Sequence, residues 1–132
     1  MRQPRGQHFL RDPKVVQAIL AAAELQPGDT ALEIGPGNGV LTADLASRVR
    51  RLVAVELDAK LAGALQNRWP PGSPVTLVHQ DFLKTPLDEL FPPDVRPVKV
   101  LGNLPYSITS PIFEKLLAWS GWETGVFLIQ KE

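Results

Sequence analysis

The sequence predicts an open α/β sandwich, in which helices cover both faces of a mostly parallel β-sheet. Short apolar runs alternate repeatedly with stretches of helical periodicity, which is the order expected of β-α units. These runs are predominantly apolar, as in strands that are buried on both faces of a sheet. With 132 residues, of which 44% are hydrophobic, the chain can form one compact core and is short for two domains.

Local signals place the individual elements. Asp12 is predicted to cap the first helix, with Pro13 in its first turn, and Pro27-Gly28 ends that helix. The predicted elements are helix 13–25, strand 31–34, helix 40–50, strand 52–56, helix 59–67, strand 75–79, a helical turn at 87–90, strand 98–101, helix 110–119 and strand 126–129. Several clusters of polar residues directly follow strands, so we expect a ligand site at the carboxyl edge of the sheet.

Composition and charge exclude several classes of function. Fourteen basic residues balance fourteen acidic ones, so no overall field attracts the chain to nucleic acid. The chain has no Cys and two isolated His residues, His8 and His79, so we expect no disulfide and no metal site. No apolar run has the length of a signal peptide or a membrane span. We therefore expect a soluble, cytoplasmic protein.

A glycine-rich turn follows the first predicted strand and contains Gly35, Gly37 and Gly39. A dinucleotide-binding fingerprint requires glycine at its sixth position, where this chain has Val40. The G-x-G-x-G spacing instead resembles the loop of S-adenosylmethionine-dependent methyltransferases, in which the amino-acid part and the ribose of the cofactor pass over the glycines. A turn that merely needs a positive φ angle is expected to explain one of these glycines but hardly three.

Acidic residues follow the next two strands. Glu56 ends the second strand, about twenty residues after the glycine turn, where a carboxylate would accept hydrogen bonds from both ribose hydroxyls. Asp58 is the other candidate for binding the ribose, but it directly precedes a helix and is better placed to cap that helix. Asp81 follows the third strand and can accept a bond from the adenine amino group of the cofactor, while Phe82 packs on the ring. An Asp after a strand is more often a turn residue.

The tetrapeptide Asn103-Leu104-Pro105-Tyr106 follows the fourth strand. The lone pair of an exocyclic amine is delocalised into its ring, so an enzyme that methylates this amine must bond both hydrogens and orient the nitrogen. The side-chain oxygen of Asn103 and the carbonyl of Leu104 can accept these two bonds. Pro105 then fixes the turn, and Tyr106 stacks on the base. In the alternative interpretation, Asn103 bonds its own backbone and Tyr106 belongs to the core.

Taken in order, several segments resemble the motifs of KsgA-type ribosomal RNA adenine dimethyltransferases. These segments are Gly6-Gln7-His8-Phe9-Leu10, residues 33–42, Val55-Glu56-Leu57-Asp58, Gln80-Asp81-Phe82 and residues 103–108. The resemblance spans nearly the whole chain and implies a Rossmann-like methyltransferase fold with S-adenosyl-L-methionine as cofactor, which His8, Leu10 and Asn103 would also contact. Many members have Asn in place of His8, which changes the donor geometry. The implied substrate is two adjacent adenosines near the 3′ end of small-subunit ribosomal RNA, in the immature small subunit.

The same family continues well beyond Glu132, with further strands and a helical RNA-binding domain, so we expect residues 1–132 to form an incomplete methyltransferase domain. Other functions remain open. A macrolide-resistance methylase of large-subunit RNA shares the layout but usually has Phe in place of Tyr106. A non-catalytic RNA-binding or ribosome-assembly module could retain the fold, although it would need neither Asn103 nor Glu56. Enzymes that methylate DNA adenine or protein amides use related tetrapeptides, and only the segment 6–10 disfavours them.

Overall fold

A computed structural model describes residues 12–130 of the chain. In chain order, the elements are α1 (Pro13–Ala23), β1 (Thr30–Ile34), α2 (Val40–Ala46), β2 (Arg51–Glu56), α3 (Ala59–Arg68), β3 (Val75–His79), α4 (Leu87–Leu90), β4 (Val98–Pro105), α5 (Tyr106–Ala118) and β5 (Trp122–Gln130), with short 3-10 helices at Phe82–Lys84 and Pro93–Val95. The strands form one sheet in the order β3-β2-β1-β4-β5, and all neighbouring pairs are parallel. The predicted open α/β sandwich is confirmed.

The apolar core lies in two layers, one on each face of the sheet. In β2, Leu52 and Ala54 pack on one face with α1 and α2. Val53 and Val55, which point to the opposite face, pack with α4 and α5. The apolar run of β2 therefore suits a strand inside this sheet, since both of its faces are covered.

The first two helices end earlier than predicted. Asp12 caps α1 by accepting a hydrogen bond from the Lys14 N–H at 2.9 Å, which confirms the predicted start. The helix ends at Ala23 because Glu24 adopts a left-handed conformation with a φ of 49°. The helix α2 ends at Ala46 and not near residue 50, because the backbone N–H groups of residues 50 and 51 donate to the Asp29 carbonyl and direct the chain into β2.

The strand β4 is longer than predicted. The predicted strand ended at Leu101, because the glycine and proline that follow disfavour strand structure. The observed strand continues to Pro105 because β5 pairs with it along its length, up to the pair formed by Pro105 and Gln130. The strand β5 is also longer and begins at Trp122.

The helix α5 begins at Tyr106, directly after β4 and four residues before the predicted start at 110. Its first turn is stabilised by the Thr109 hydroxyl, which donates to the Pro105 carbonyl at 3.0 Å. The tetrapeptide 103–106 therefore spans a strand end and a helix start, and no flexible loop separates them. None of the helices within residues 12–130 is long and apolar enough to cross a membrane.

Candidate functional site

The predicted site residues lie together at the carboxyl edge of the sheet. The parallel register brings the ends of β1, β2 and β4 side by side, so that Gly35, Glu56 and Asn103 are neighbours. A Cβ atom built on Gly35 would lie 3.8 Å from the Asn103 carbonyl oxygen. Asp81 follows the end of β3, one strand beyond β2. Because neighbouring strands are about 4.8 Å apart, the edge from β3 to β4 spans roughly 14 Å, which suits an elongated ligand.

All three glycines of the turn have positive φ angles, at 70° for Gly35, 60° for Gly37 and 84° for Gly39. The expectation that backbone conformation explains only one of them is therefore wrong. Gly39 is also required by packing, because a Cβ atom there would lie 2.8 Å from the Leu65 side chain. The turn geometry accounts for the glycines by itself, so the glycines alone do not indicate a ligand, and the side chains around them must do so.

The carboxylate of Glu56 links the end of β2 to the glycine turn. The side chain is buried, and its two oxygens accept hydrogen bonds from the backbone N–H groups of Gly37 and Asp58, both at 2.9 Å. This contact with the turn is not evident in the sequence. Each carboxylate oxygen can accept a further bond, so both remain able to bind hydroxyl groups. Asp58 caps α3 through a bond from Leu61 N–H at 2.9 Å, as predicted.

A second carboxylate, Glu33, lies beneath the site in β1. Its side chain is buried and accepts a hydrogen bond from the Thr42 hydroxyl at 2.5 Å. Burial raises the pKa of Glu33 to about 7; the bond from Thr42 opposes this shift, and the charge of Glu56 adds to it. The signal for Glu33 in the sequence is a charged residue inside an otherwise apolar strand, and the motifs alone gave it no individual role.

The turn after β3 is built by local hydrogen bonds. Asp81 caps the short 3-10 helix by accepting a bond from the Leu83 N–H at 3.0 Å, which is the turn role that its position after a strand suggests. Its backbone carbonyl accepts a bond from the Thr85 hydroxyl at 2.9 Å. Phe82 is buried in the core layer that contains α5. Contact of Asp81 and Phe82 with an adenine ring stays a prediction.

The side-chain oxygen of Asn103, Oδ1, is buried. Among residues 12–130, no group donates a hydrogen bond to its Oδ1 atom. Leu104 is fully buried, whereas Pro105 and Tyr106 are exposed, and 70% of Tyr106 is accessible to solvent. The alternative interpretation held that Asn103 bonds its own backbone and that Tyr106 belongs to the core. It is wrong on both points, because Asn103 Oδ1 bonds no backbone group within residues 12–130 and Tyr106 is exposed.

Exposed apolar side chains accompany these polar groups at the same edge. Leu57 follows Glu56 and is 66% exposed, and Ile108 lies on the first turn of α5 with 45% exposure. Large exposed apolar residues at a ligand edge are typical of surfaces that contact rings. Leu57 belongs to the segment 55–58 that resembles a family motif, but its exposure was not evident from the sequence.

Two predicted cofactor contacts, His8 and Leu10, lie outside the described residues. Within residues 12–130, no group of three or more His, Asp or Glu side chains is arranged to hold a metal ion. The described site presents carboxylates, an amide oxygen, exposed apolar side chains and backbone groups.

Comparison with known sequences gives a family match over the whole chain. A family model described as "Ribosomal RNA adenine dimethylase" matches residues 1–132. "Ribosomal RNA small subunit methyltransferase A" of Dehalococcoides mccartyi (strain CBDB1) is 45% identical over 132 residues, which cover 99% of this chain and 45% of the relative. The protein of the same name from Picosynechococcus sp. is 41% identical over 140 residues, covering 99% of this chain and 51% of the relative. The chain thus spans about half the length of these curated relatives.

Comparison with solved structures gives the same fold. The crystal structure of the 23S rRNA methyltransferase ErmE is 37% identical with a TM-score of 0.79, and the match covers 92% of this chain and 48% of that one. A dimethyladenosine transferase from Plasmodium falciparum is 26% identical with a TM-score of 0.75, and the match covers 91% of this chain and 42% of that one. The fold is therefore that of Rossmann-like methyltransferases.

Proposed function

The chain belongs to the ribosomal RNA adenine dimethylase family, and we propose that its protein transfers methyl groups from S-adenosyl-L-methionine to N6 of adenosines in ribosomal RNA. The substrate we propose is two adjacent adenosines near the 3′ end of small-subunit RNA, in immature small subunits of the cytoplasm. Curated relatives named as small-subunit methyltransferases, at 41–45% identity, support this choice. Residues 1–132 would be the cofactor-binding part of the enzyme.

One observation supports the chemistry most directly, and it is the unpaired Oδ1 atom of Asn103. A buried acceptor without a donor costs about 1–3 kcal/mol, so a fold retains one where a ligand supplies the donor. An exocyclic amine is such a donor. The exposed ring of Tyr106 stands three residues further on, where it can stack on the base that bears the amine.

The residues at this edge fit the cofactor. The remaining acceptor sites of Glu56 suit two vicinal hydroxyls, and Gly35 leaves the backbone open beside the Asn103 carbonyl. Asp81 stands two residues past β3, where an adenine amino group would be bound. When bound, S-adenosylmethionine supplies an electrophilic methyl group on a cationic sulfur. By family resemblance, His8 and Leu10 add contacts.

The chain's own task in the reaction is to orient the amine. The two N–H groups of the amine donate hydrogen bonds to Asn103 Oδ1 and to the Leu104 carbonyl, which directs the nitrogen lone pair toward the methyl group. Orientation and proximity are sufficient to supply a large share of the rate. A dedicated general base is not needed, because the methylated amine is strongly acidic and loses its proton to water or to a backbone acceptor.

A second candidate is methylation of large-subunit RNA. The similarity to ErmE, at 37% identity, favours it. Tyr106 favours methylation of small-subunit RNA, since the large-subunit enzymes usually have Phe at this position. A non-catalytic assembly module is disfavoured, because a protein that only binds RNA would not need to retain an unpaired buried acceptor at Asn103.

The test uses the complete product of the gene that encodes this chain. Transfer of tritiated methyl groups is measured on small subunits and on large-subunit RNA, both from cells that lack the modification, and mass spectrometry of the digested RNA identifies the product. We expect N6,N6-dimethyladenosine in small-subunit RNA. Labelling of large-subunit RNA alone would select the second candidate, and no labelling of either would refute the proposal.

A further inference from the structure

Lys115 joins the turn after β3 directly to α5. Its Nζ atom donates hydrogen bonds to the backbone carbonyls of Phe82 and Thr85. It also lies 4.9 Å from the centre of the Phe82 ring, in cation–π contact. A lysine ammonium has three donors, and this one is used almost entirely inside the protein.

The environment of Lys115 is unusual for a lysine. Burial lowers the pKa of its ammonium, and the nearby charge of Asp81 partly opposes this effect. A partly buried ammonium is retained where its hydrogen bonds offset the cost of losing water. The two carbonyls that it binds belong to the segment 82–85, which follows Asp81 directly.

The turn after β3 and the tetrapeptide 103–106 are not adjacent in the sheet. β3 and β4 are separated by two strands, so the turn after β3 and the tetrapeptide 103–106 are related through three strand pairings. The helix α5 connects the same two places directly, without these strand pairings. It begins with Tyr106 and reaches Lys115 nine residues later, about 13 Å along the helix, with Pro111 between them. One helix therefore presents the ring of Tyr106 at its start and fixes the Asp81 turn further along.

We propose that Lys115 is a positioning residue that sets the distance between the adenosine site at Asp81 and the target-amine site at Asn103. This proposal rests on the proposed function. Methyl transfer requires the reacting atoms to be aligned within about 3–3.5 Å, and a misplacement of about 1 Å lowers the rate roughly 100-fold. Phe82 keeps the turn packed on α5, but loss of the Lys115 bonds allows small displacements of the turn, so turnover falls more than cofactor affinity does.

The test compares lysine variants in the complete gene product. Lys115→Met removes the two bonds and keeps most of the side-chain volume. The matched control is Lys99→Met, because Lys99, which is buried, also bonds a backbone carbonyl, that of Glu24, together with the Asp29 carboxylate at 2.8 Å. Lys99 lies near the start of β4, at the opposite edge of the sheet from the site. Both variants should lower Tm.

Only Lys115→Met should lower kcat, by roughly 10-fold to 100-fold, with KM and Kd for S-adenosylmethionine changed less than about 5-fold. Lys115→Arg, which retains charge and donors, should restore most of the turnover. An unchanged kcat in Lys115→Met, measured well below its Tm, overturns the proposal, and so does an equal loss in Lys99→Met. If Lys115→Met does not fold, Lys115→Gln is measured against the same criteria. Lack of transfer by the wild type would remove the proposed function and this inference together.

Discussion

Replacing Asn103 with Ala should slow methyl transfer strongly without destabilising the fold. Its Oδ1 atom is buried and unpaired within residues 12–130, a situation that costs about 1–3 kcal/mol. A typical substitution destabilises a protein by about 1 kcal/mol, so removal of the unpaired acceptor offsets that loss. We therefore expect the free energy of unfolding to stay unchanged or to rise by up to about 2 kcal/mol.

The effect on turnover has the opposite sign. Loss of one oriented group that contacts the reacting centre lowers kcat by about 10²–10³ in well-studied enzymes. Affinity for S-adenosylmethionine should stay within about 2-fold, because the Asn103 side chain acts on the target amine in the transition state. The two changes together, lower kcat with equal or higher stability, distinguish an amine-binding acceptor from a structural asparagine.

The assay measures kcat by tritiated methyl transfer to small subunits, cofactor Kd by calorimetry, and Tm by scanning calorimetry. Asn67→Ala is the matched control, since Asn67 is exposed on α3; all three quantities should stay at their wild-type values. Turnover of Asn103→Ala near the wild-type rate would refute the role in orienting the amine. A loss of more than about 2 kcal/mol of stability would refute the unpaired state of Oδ1.

Three further changes test other parts of the site. Glu56→Ala should weaken cofactor binding by on the order of 1.5–3 kcal/mol and lower Tm, because the carboxylate also binds the N–H groups of Gly37 and Asp58; unchanged affinity in calorimetry would remove Glu56 from the site. The pKa of Glu33 is raised from 4.5 to about 7 in the folded chain. Between these two pH values the folded chain holds a proton that the unfolded chain releases, so the free energy of unfolding falls by roughly 3 kcal/mol as pH rises from 4.5 to about 7. Glu33→Gln should abolish this fall, and Tm profiles from pH 4 to 8 that coincide with the wild type would contradict the assignment. The 132-residue chain by itself should bind S-adenosylmethionine weakly or not at all and should not methylate RNA, because its curated relatives are about twice as long and its zero net charge provides little attraction to RNA; transfer equal to that of the complete gene product would refute this.

The strands and main helices, and their order along the chain, could be predicted because they depend on local sequence pattern. Apolar runs such as 52–55 have no polar face, so they favour a strand covered on both sides. The cap at Asp12 likewise depends on neighbours within a few residues. The ends of elements were less predictable. The strand β4 continues past Gly102 because β5, distant in sequence, pairs with it.

The site was predictable in its members and less so in its contacts. The glycine turn, Glu56 and the tetrapeptide were identified from residue types placed after strands, and the parallel register explains why they meet. Their conformations were not evident. That all three glycines have positive φ, and that Glu56 holds the turn through Gly37, depends on how β1, β2 and α3 pack together.

The amino-acid sequence alone determined the fold class, the family resemblance and the chemical identity of the candidate site residues, because each follows from local periodicity or from a short motif. Only the tertiary structure decided which groups are satisfied within the protein. The unpaired oxygen of Asn103, the raised pKa of Glu33 and the two carbonyls bound by Lys115 all involve groups that are distant in sequence or depend on burial. Burial and long-range pairing are properties of the packed chain, and no local pattern specifies them.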